Sequence, residues 1–121
     1  KWLTDVGIPV LAWSSLAGGY LTNGLDLESL ADLETSLAAE AARCYHSADN
    51  WARRQRAVDL AMGRDCTLEQ VAVAWVLTAP FEAHALCASR TAAEARANLQ
   101  ASNVALSETE RSWLEGSEAS E

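Results

Sequence analysis

Lysine is nearly missing from this chain: Lys1 is the only one in 121 residues, beside eight arginines. Proline (two residues), methionine (Met62 alone) and phenylalanine (one) are also scarce. Nine basic residues face seventeen acidic ones, for a formal net charge of −8. Affinity for nucleic acid rests largely on neutralising phosphates, so this shortage of cations argues against DNA or RNA as the main ligand. No apolar run approaches the ~20 residues of a membrane span, and no charged-then-apolar leader opens the chain, so no membrane partner is expected. Cys44, Cys66 and Cys87 are odd in number and widely spaced. With no CxxC, HExxH or Cys/His cluster, no metal site is expected, and the thiols read as reduced, mostly buried groups of a cytoplasmic protein.

What is present is the balance of a soluble globular protein: 50% hydrophobic residues, 24 of them alanine, and 21% charged. The length holds one domain with a modest core. The chain starts at Lys1 rather than Met, from which a processed chain or a fragment is expected. Arg53, Arg54 and Arg56 cluster between Asp49 and Asp59, which reads as a solvated helix face.

Two short runs read as strands: Ile8, Val10 and Leu11, ending at Trp13, and His84–Ala88. Both are nearly continuous in apolar residues, the pattern of a parallel sheet covered on its faces. Elsewhere helical spacing dominates. Leu27, Leu30, Ala31, Leu37, Ala38 and Ala41 make one stripe from Asp26 to about Arg43. A second helix is expected from about Asp49 to Met62, stopped by Gly63 in a left-handed cap. Three capping boxes follow, Thr67 with Gln70, Thr91 with Glu94 and Ser107 with Glu110. The helix after Thr67 is apolar on nearly all sides, Trp75 included, and should be broadly buried until Pro80 stops it. Met62 and the five tryptophans are assigned to the core. Residues 1–115 form the body of this reading, and 116–121 an acidic, frayed tail. Strands alternating with helices imply parallel crossover units, yet two strands do not make a stable sheet alone.

Two segments could carry chemistry. Trp13-Ser14-Ser15-Leu16-Ala17-Gly18-Gly19 follows the first strand; its small residues, amides and hydroxyls suit phosphate oxygens, although a plain turn would look the same. Ser89-Arg90-Thr91 follows the second strand and opens a capped helix, either an anion site or simple capping with an exposed arginine. Both lie where α/β proteins place ligands.

Three stretches carry a resemblance: GIPVLAWSSLAGGYLT (7–22), CTLEQVAVAWVLTAPF (66–81) and LCASRTAAEARANLQASNVALSETERSWLE (86–115). In this order they are similar to the carboxyl-terminal part of the aldo/keto reductase family. The resemblance implies a (β/α)8 TIM barrel that interconverts small carbonyls and alcohols with NADP(H) and no metal. This chain would supply its last two βα units and a terminal helix, an α/β half-barrel rich in helix. By the same resemblance Trp13 would stack on the nicotinamide, and Ser14, Leu16 and Gly18 would line the pyrophosphate groove. Ser89 and Arg90 would contact the adenosine phosphate, Asn98 the adenine, and Glu94 would stand near the adenosine ribose.

Departures from the family pattern matter. Ser15 replaces a proline, Ala88 stands where glycine is common, and Glu94 takes the place of Gln or Arg. A carboxylate disfavours a phosphate dianion but can bond a ribose 2′-hydroxyl, so discrimination for NADP(H) over NAD(H) is expected to weaken. The family's Asp, Tyr, Lys and His lie on earlier strands and have no counterpart here. Tyr45 and His46 match none of those motifs and read as loop or capping residues beside Ser47. His84 reads as a buried or rim histidine. No catalytic residue is therefore assigned, and this chain alone is expected to be inactive, its partner being the missing amino-terminal barrel portion or a second copy. The alternative is a non-catalytic remnant acting as a protein-interaction module.

Overall fold

The computed structural model describes residues 2–22, 25 and 37–116. Helix α1 (Trp2–Val6) leads into strand β1 (Val10–Ala12), followed by a 3₁₀ turn over Ala17–Gly19. Helices α2 (Leu37–Tyr45), α3 (Ala48–Gly63) and α4 (Leu68–Leu77) precede strand β2 (Ala83–Ala85). Helix α5 (Ala92–Gln100), a 3₁₀ turn at Ala101–Asn103 and helix α6 (Glu108–Glu115) complete the fold. Of the helix expected from Asp26, the part over 26–36, with Leu27, Leu30 and Ala31, lies outside the described residues, as do residues 117–121 of the tail.

β1 and β2 pair in parallel, Val10 with Ala83, Leu11 with His84 and Ala12 with Ala85. Pairing continues where Val10 N–H donates to Glu82 O (2.9 Å) and Leu86 N–H to Ala12 O (3.0 Å). The expectation of strands covered on both faces is corrected. Val10, Ala12, Ala83 and Ala85 are half-buried on the side where α4 packs, while Leu11 and His84 are exposed on the other. Because successive side chains alternate, one covered face leaves every second residue in water.

Helix starts follow the hydroxyl signals. Thr67 Oγ accepts from Gln70 N–H (3.2 Å) while the Gln70 side chain accepts from Thr67 N–H (3.0 Å), and Ser107 with Glu110 does the same. Each box satisfies two amides that have no partner inside the helix. Ser47 caps α3 through Asn50 N–H. The left-handed stop assigned to Gly63 falls instead on Asp65 (φ 51°), since Gly63 is the last helical residue and Arg64 the cap. At the end of α6 the glycine is needed. Gly116 has φ 80°, and a Cβ there would meet Arg56 Nη2 at 2.8 Å. That residue therefore closes α6.

The main core joins α3, α4 and α6 through Ala57, Ala61, Leu68, Val71, Ala74, Leu106 and Leu114. A second cluster holds Tyr20, Leu25 and Ala41 with Trp51 against it. The assignment of the tryptophans and Met62 to the core is overturned. Trp2, Trp13, Trp75, Trp113 and Met62 are all substantially exposed, and Trp51 is half-buried. Trp75 lies on the outer side of α4 under the Arg111 guanidinium, 4.6 Å from its ring centre. The cysteines are free, Cys44 and Cys87 exposed and Cys66 half-buried, so the expectation of mostly buried thiols also fails.

The arginine cluster is only partly a solvated face, with Arg53 exposed. Arg54 is buried and donates to Tyr20 O (3.1 Å) and Thr22 O (2.8 Å), tying α3 to the segment after β1. Arg53 reaches Glu115 O and Arg56 reaches Leu114 O, so the cluster fastens α3 to the end of α6.

Candidate nucleotide site at the strand ends

Parallel pairing sends both strands out at the same end, so the loops after Ala12 and after Ala85 start side by side, one inter-strand spacing apart. Trp13 opens the first loop with its indole 85% exposed. Behind it the chain turns tightly. Ser14 (φ 58°), Ala17 (φ 50°) and Gly18 (φ 64°) occupy the left-handed region, which only glycine enters without strain. Two non-glycine residues held there within four positions mark a loop whose shape the surrounding contacts enforce.

Those contacts are mainly internal. Ala17 N–H donates to Ser14 O (2.7 Å), Gly18 N–H to Ser14 Oγ (3.0 Å), Gly19 N–H to Leu16 O (3.0 Å) and Leu21 N–H to Leu16 O (3.1 Å). The amides from Ala17 to Leu21 are thus committed within the loop and do not form the open nest that its composition implied. Ser14 Oγ accepts one bond and keeps its own O–H to donate. Ser15 Oγ donates back to Ala12 O (3.2 Å), closing the turn where the family pattern has proline.

The second loop carries Ser89, Arg90 and Thr91 into α5. Thr91 Oγ accepts from Glu94 N–H (3.1 Å), as a capping residue should. The reciprocal half of the expected box is absent, because the Glu94 carboxylate accepts from Arg90 N–H (2.7 Å) instead of Thr91 N–H. Asn98, one turn further along α5, donates through Nδ2 to Ser89 Oγ (3.0 Å). Ser89 and Asn98 are therefore brought together; Trp13, Ser14, Leu16 and Gly18 form the other group across the strand ends. Leu16 is half-buried, and Ala88 and Arg90 are exposed.

An open groove of about 420 Å³ runs between α4, β2 and α5. Ser89 and Asn98 line it with Leu77, Cys87, Leu99 and Ser102 among others. Leu99 and Ser102 were not singled out from sequence; Ser102 stands four residues after Asn98, a helical spacing that could have found it, whereas Leu99 is its immediate neighbour. Although Cys87 is largely exposed, partial desolvation by the groove walls raises its thiol above the ordinary value.

The remaining titratable residues stand elsewhere. His84 is exposed and bonded to Glu82 (3.1 Å), not buried. Tyr20 is buried, with its hydroxyl 3.0 Å from His46 Nδ1, and His46 meets Trp51 edge-on. Burial raises the Tyr20 phenol, with Arg54 opposing. This pair belongs to the second cluster, against which Ala17 of the first loop also packs. Among the described residues no group of three His, Cys, Asp or Glu side chains could hold a metal, and no helix is long and apolar enough to cross a membrane.

The profile of the aldo/keto reductase family matches residues 1–118. The chain belongs to that family. Its members share the TIM-barrel fold and oxidoreductase chemistry, and in general use NAD(P)H on small-molecule carbonyls. No individual curated protein matches the chain.

Proposed function

We propose that this member of the aldo/keto reductase family is the cofactor-holding, carboxyl-terminal portion of the barrel, residues 1–115, contributing its last two βα units and terminal helix. The observation that carries this reading is the parallel register of β1 and β2, which delivers the Trp13–Gly19 loop and the Ser89–Asn98 segment to one end. Ligands of such barrels bind at the carboxyl ends of the strands.

The residues available there fit a dinucleotide. The exposed Trp13 indole offers a face for the nicotinamide, and the Ser14 hydroxyl, beside Leu16 and Gly18, offers a donor to the pyrophosphate. Ser89 and Arg90 stand at the start of α5 for the adenosine phosphate, and Asn98 for the adenine. The cofactor supplies a transferable hydride; the chain's own residues bind and orient it. Proton transfer requires groups outside this constellation, since Tyr20 and His46 are turned into their own cluster and Lys1 is the only lysine. The substrate class is a small carbonyl or alcohol, and the setting an intracellular one. A barrel portion supplying the other strands, or a second copy, would be the partner.

The test is titration of the 121-residue chain with NADH and NADPH, followed by nicotinamide fluorescence and by calorimetry. Saturable binding that Trp13→Ala weakens by about tenfold, the loss of one aromatic stack, supports the reading. No binding of either nucleotide would overturn it. With an aldehyde such as 4-nitrobenzaldehyde added, the chain alone is expected to oxidise no NADPH. One observation favours a protein-interaction module instead: the exposed Leu11 face of the sheet. Failure of nucleotide binding together with capture of a protein on that face would support that second reading.

A further inference from the structure

We infer that Tyr20, clamped by His46 and Arg54, is the positioning residue that holds the Trp13–Gly19 loop in its binding shape. This role rests on the reading of that loop as one side of a nucleotide site. The loop needs a hold from outside. Ser14 (φ 58°) and Ala17 (φ 50°) occupy the left-handed region, where a non-glycine residue stays only if its surroundings impose it. The hold comes from the inward side, where Ala17 packs on the cluster of Tyr20, Leu25 and Ala41. A Cβ on Gly18 would stand 3.6 Å from Ala41 Cβ and 3.8 Å from the Tyr45 ring, so α2 lies directly behind that turn.

Tyr20 joins this backing to the loop through each of its polar groups. Its N–H donates to Ala17 O (3.1 Å), its carbonyl accepts from Arg54 Nε (3.1 Å), and its hydroxyl lies 3.0 Å from His46 Nδ1. With the imidazole hydrogen on Nε2, Nδ1 accepts the phenol hydrogen. His46 is itself fixed in the corner between Tyr45, the last residue of α2, and Ser47, the cap of α3. There its N–H donates to Ala42 O (2.8 Å) and its ring meets Trp51 edge-on. Tyr20 is only 2% exposed, so water does not readily replace His46 as the hydroxyl's partner. The effect reaches Ser14, because Gly18 N–H donates to Ser14 Oγ (3.0 Å). The place of Gly18 against α2 thus fixes where that hydroxyl stands, and the backbone at Ser14 sets where the neighbouring Trp13 indole projects.

The test separates the hold on the loop from the binding of nucleotide. The whole chain, Tyr20→Phe, His46→Leu and their double variant are compared at a temperature where far-UV circular dichroism shows each to be folded. Backbone NMR of Ser14 and Ala17, through Cα shifts and HN–Hα couplings, reports how fully each keeps its left-handed conformation. Calorimetry gives the affinity for NADH. Each single substitution removes one end of the same bond. It is expected to move both residues away from left-handed values and to weaken NADH binding by about threefold to tenfold. The double variant should fall no further than the weaker single one. Adding Ala17→Gly to Tyr20→Phe should recover most of the affinity, since glycine adopts this φ without strain. A rescue of this kind is not expected if Tyr20 serves stability alone. Unchanged NMR parameters in both single variants overturn the inference whether or not NADH binds, as does an affinity loss that Ala17→Gly leaves in full. NMR changes as expected, in a parent chain that binds no NADH, refute the nucleotide reading while leaving the hold on the loop established.

Discussion

At the scale of single residues, Arg54 shows how a charge becomes part of a small core. Its guanidinium lies 5.2 Å from the Trp51 ring centre and donates to two backbone carbonyls of the segment that follows the candidate loop. Replacing it by methionine keeps much of the volume but leaves both carbonyls without that donor. Bonds from a charged donor contribute about 1.5–3 kcal/mol each, and not additively. Arg54→Met is therefore expected to lower unfolding stability by about 2–4 kcal/mol in urea titration. Arg53→Met, whose side chain is exposed and whose bond to Glu115 O is long at 3.3 Å, is the comparison; it should cost less than about 1 kcal/mol. Equal losses in the two variants would contradict this division of roles. Local charge pattern could not distinguish these neighbours, because Asp49 and Asp59 flank both. Which arginine is buried depends on which face of α3 meets residues 20–22.

At the scale of elements, α6 carries a pH dependence with a defined sign. The Glu110 carboxyl lies below its ordinary value of 4.5, chiefly because it accepts from Ser107 N–H, with Ser107 Oγ and Arg64 adding and burial partly opposing. A depressed carboxyl contributes stability that is present above its unfolded value and lost as pH falls through its folded value. Thermal melts between pH 6 and pH 3 should therefore show α6 and the contacts of Leu114 weakening as the medium acidifies below about 4.5. Glu110→Gln should flatten that slope, while Ser107→Ala should both flatten it and cost about 1 kcal/mol at neutral pH through loss of the cap. An unchanged slope in Glu110→Gln would count against the assignment.

These elements also show what the sequence made legible. All three helix starts from Thr67 onward were marked by a hydroxyl three residues before its partner amide, a local signal that needs no tertiary information. The presence of two strands and their parallel sense followed from apolar runs separated by helices, but the second was expected over His84–Ala88 and lies at Ala83–Ala85, because Leu86, Cys87 and Ala88 run past the end of its partner β1. The reciprocal half of the Thr91 box was misassigned because Glu94 can reach either of two adjacent amides, and the spacing is compatible with both. Trp75 was placed in the core because α4 is apolar all round; it is the position of Arg111 on α6 that makes the outer side of α4 a surface. The candidate loop was found by composition, yet its amides turned out to be spent internally, which depends on the left-handed angles of Ser14 and Ala17 rather than on residue type.

At the scale of the whole molecule, among the described residues the sheet has one face against which α4 packs and one that is exposed. Leu11 is 65% exposed and pairs with the exposed His84, while Trp13 and Leu86 continue the same side beyond the strand ends. In a (β/α)8 barrel the helices cover the outside, and side chains like these pack in layers against those of the other strands. Burying a leucine or an aromatic ring is worth about 1.5–3 kcal/mol, so an open row of them is a strong driving force for association. The net charge of −8 opposes association between like copies. The chain alone is therefore expected to enhance 8-anilinonaphthalene-1-sulfonate fluorescence while keeping its near-ultraviolet circular dichroism. That combination separates an exposed native face from a molten state, in which the near-ultraviolet signal is lost. Leu11→Gln together with Leu86→Gln should reduce the enhancement without changing the melting of α3, α4 and α6, because neither leucine belongs to their core. Dye binding that survives both substitutions would move the exposed apolar surface elsewhere, to Trp113 or Met62, and would remove the sheet face as the surface that drives association.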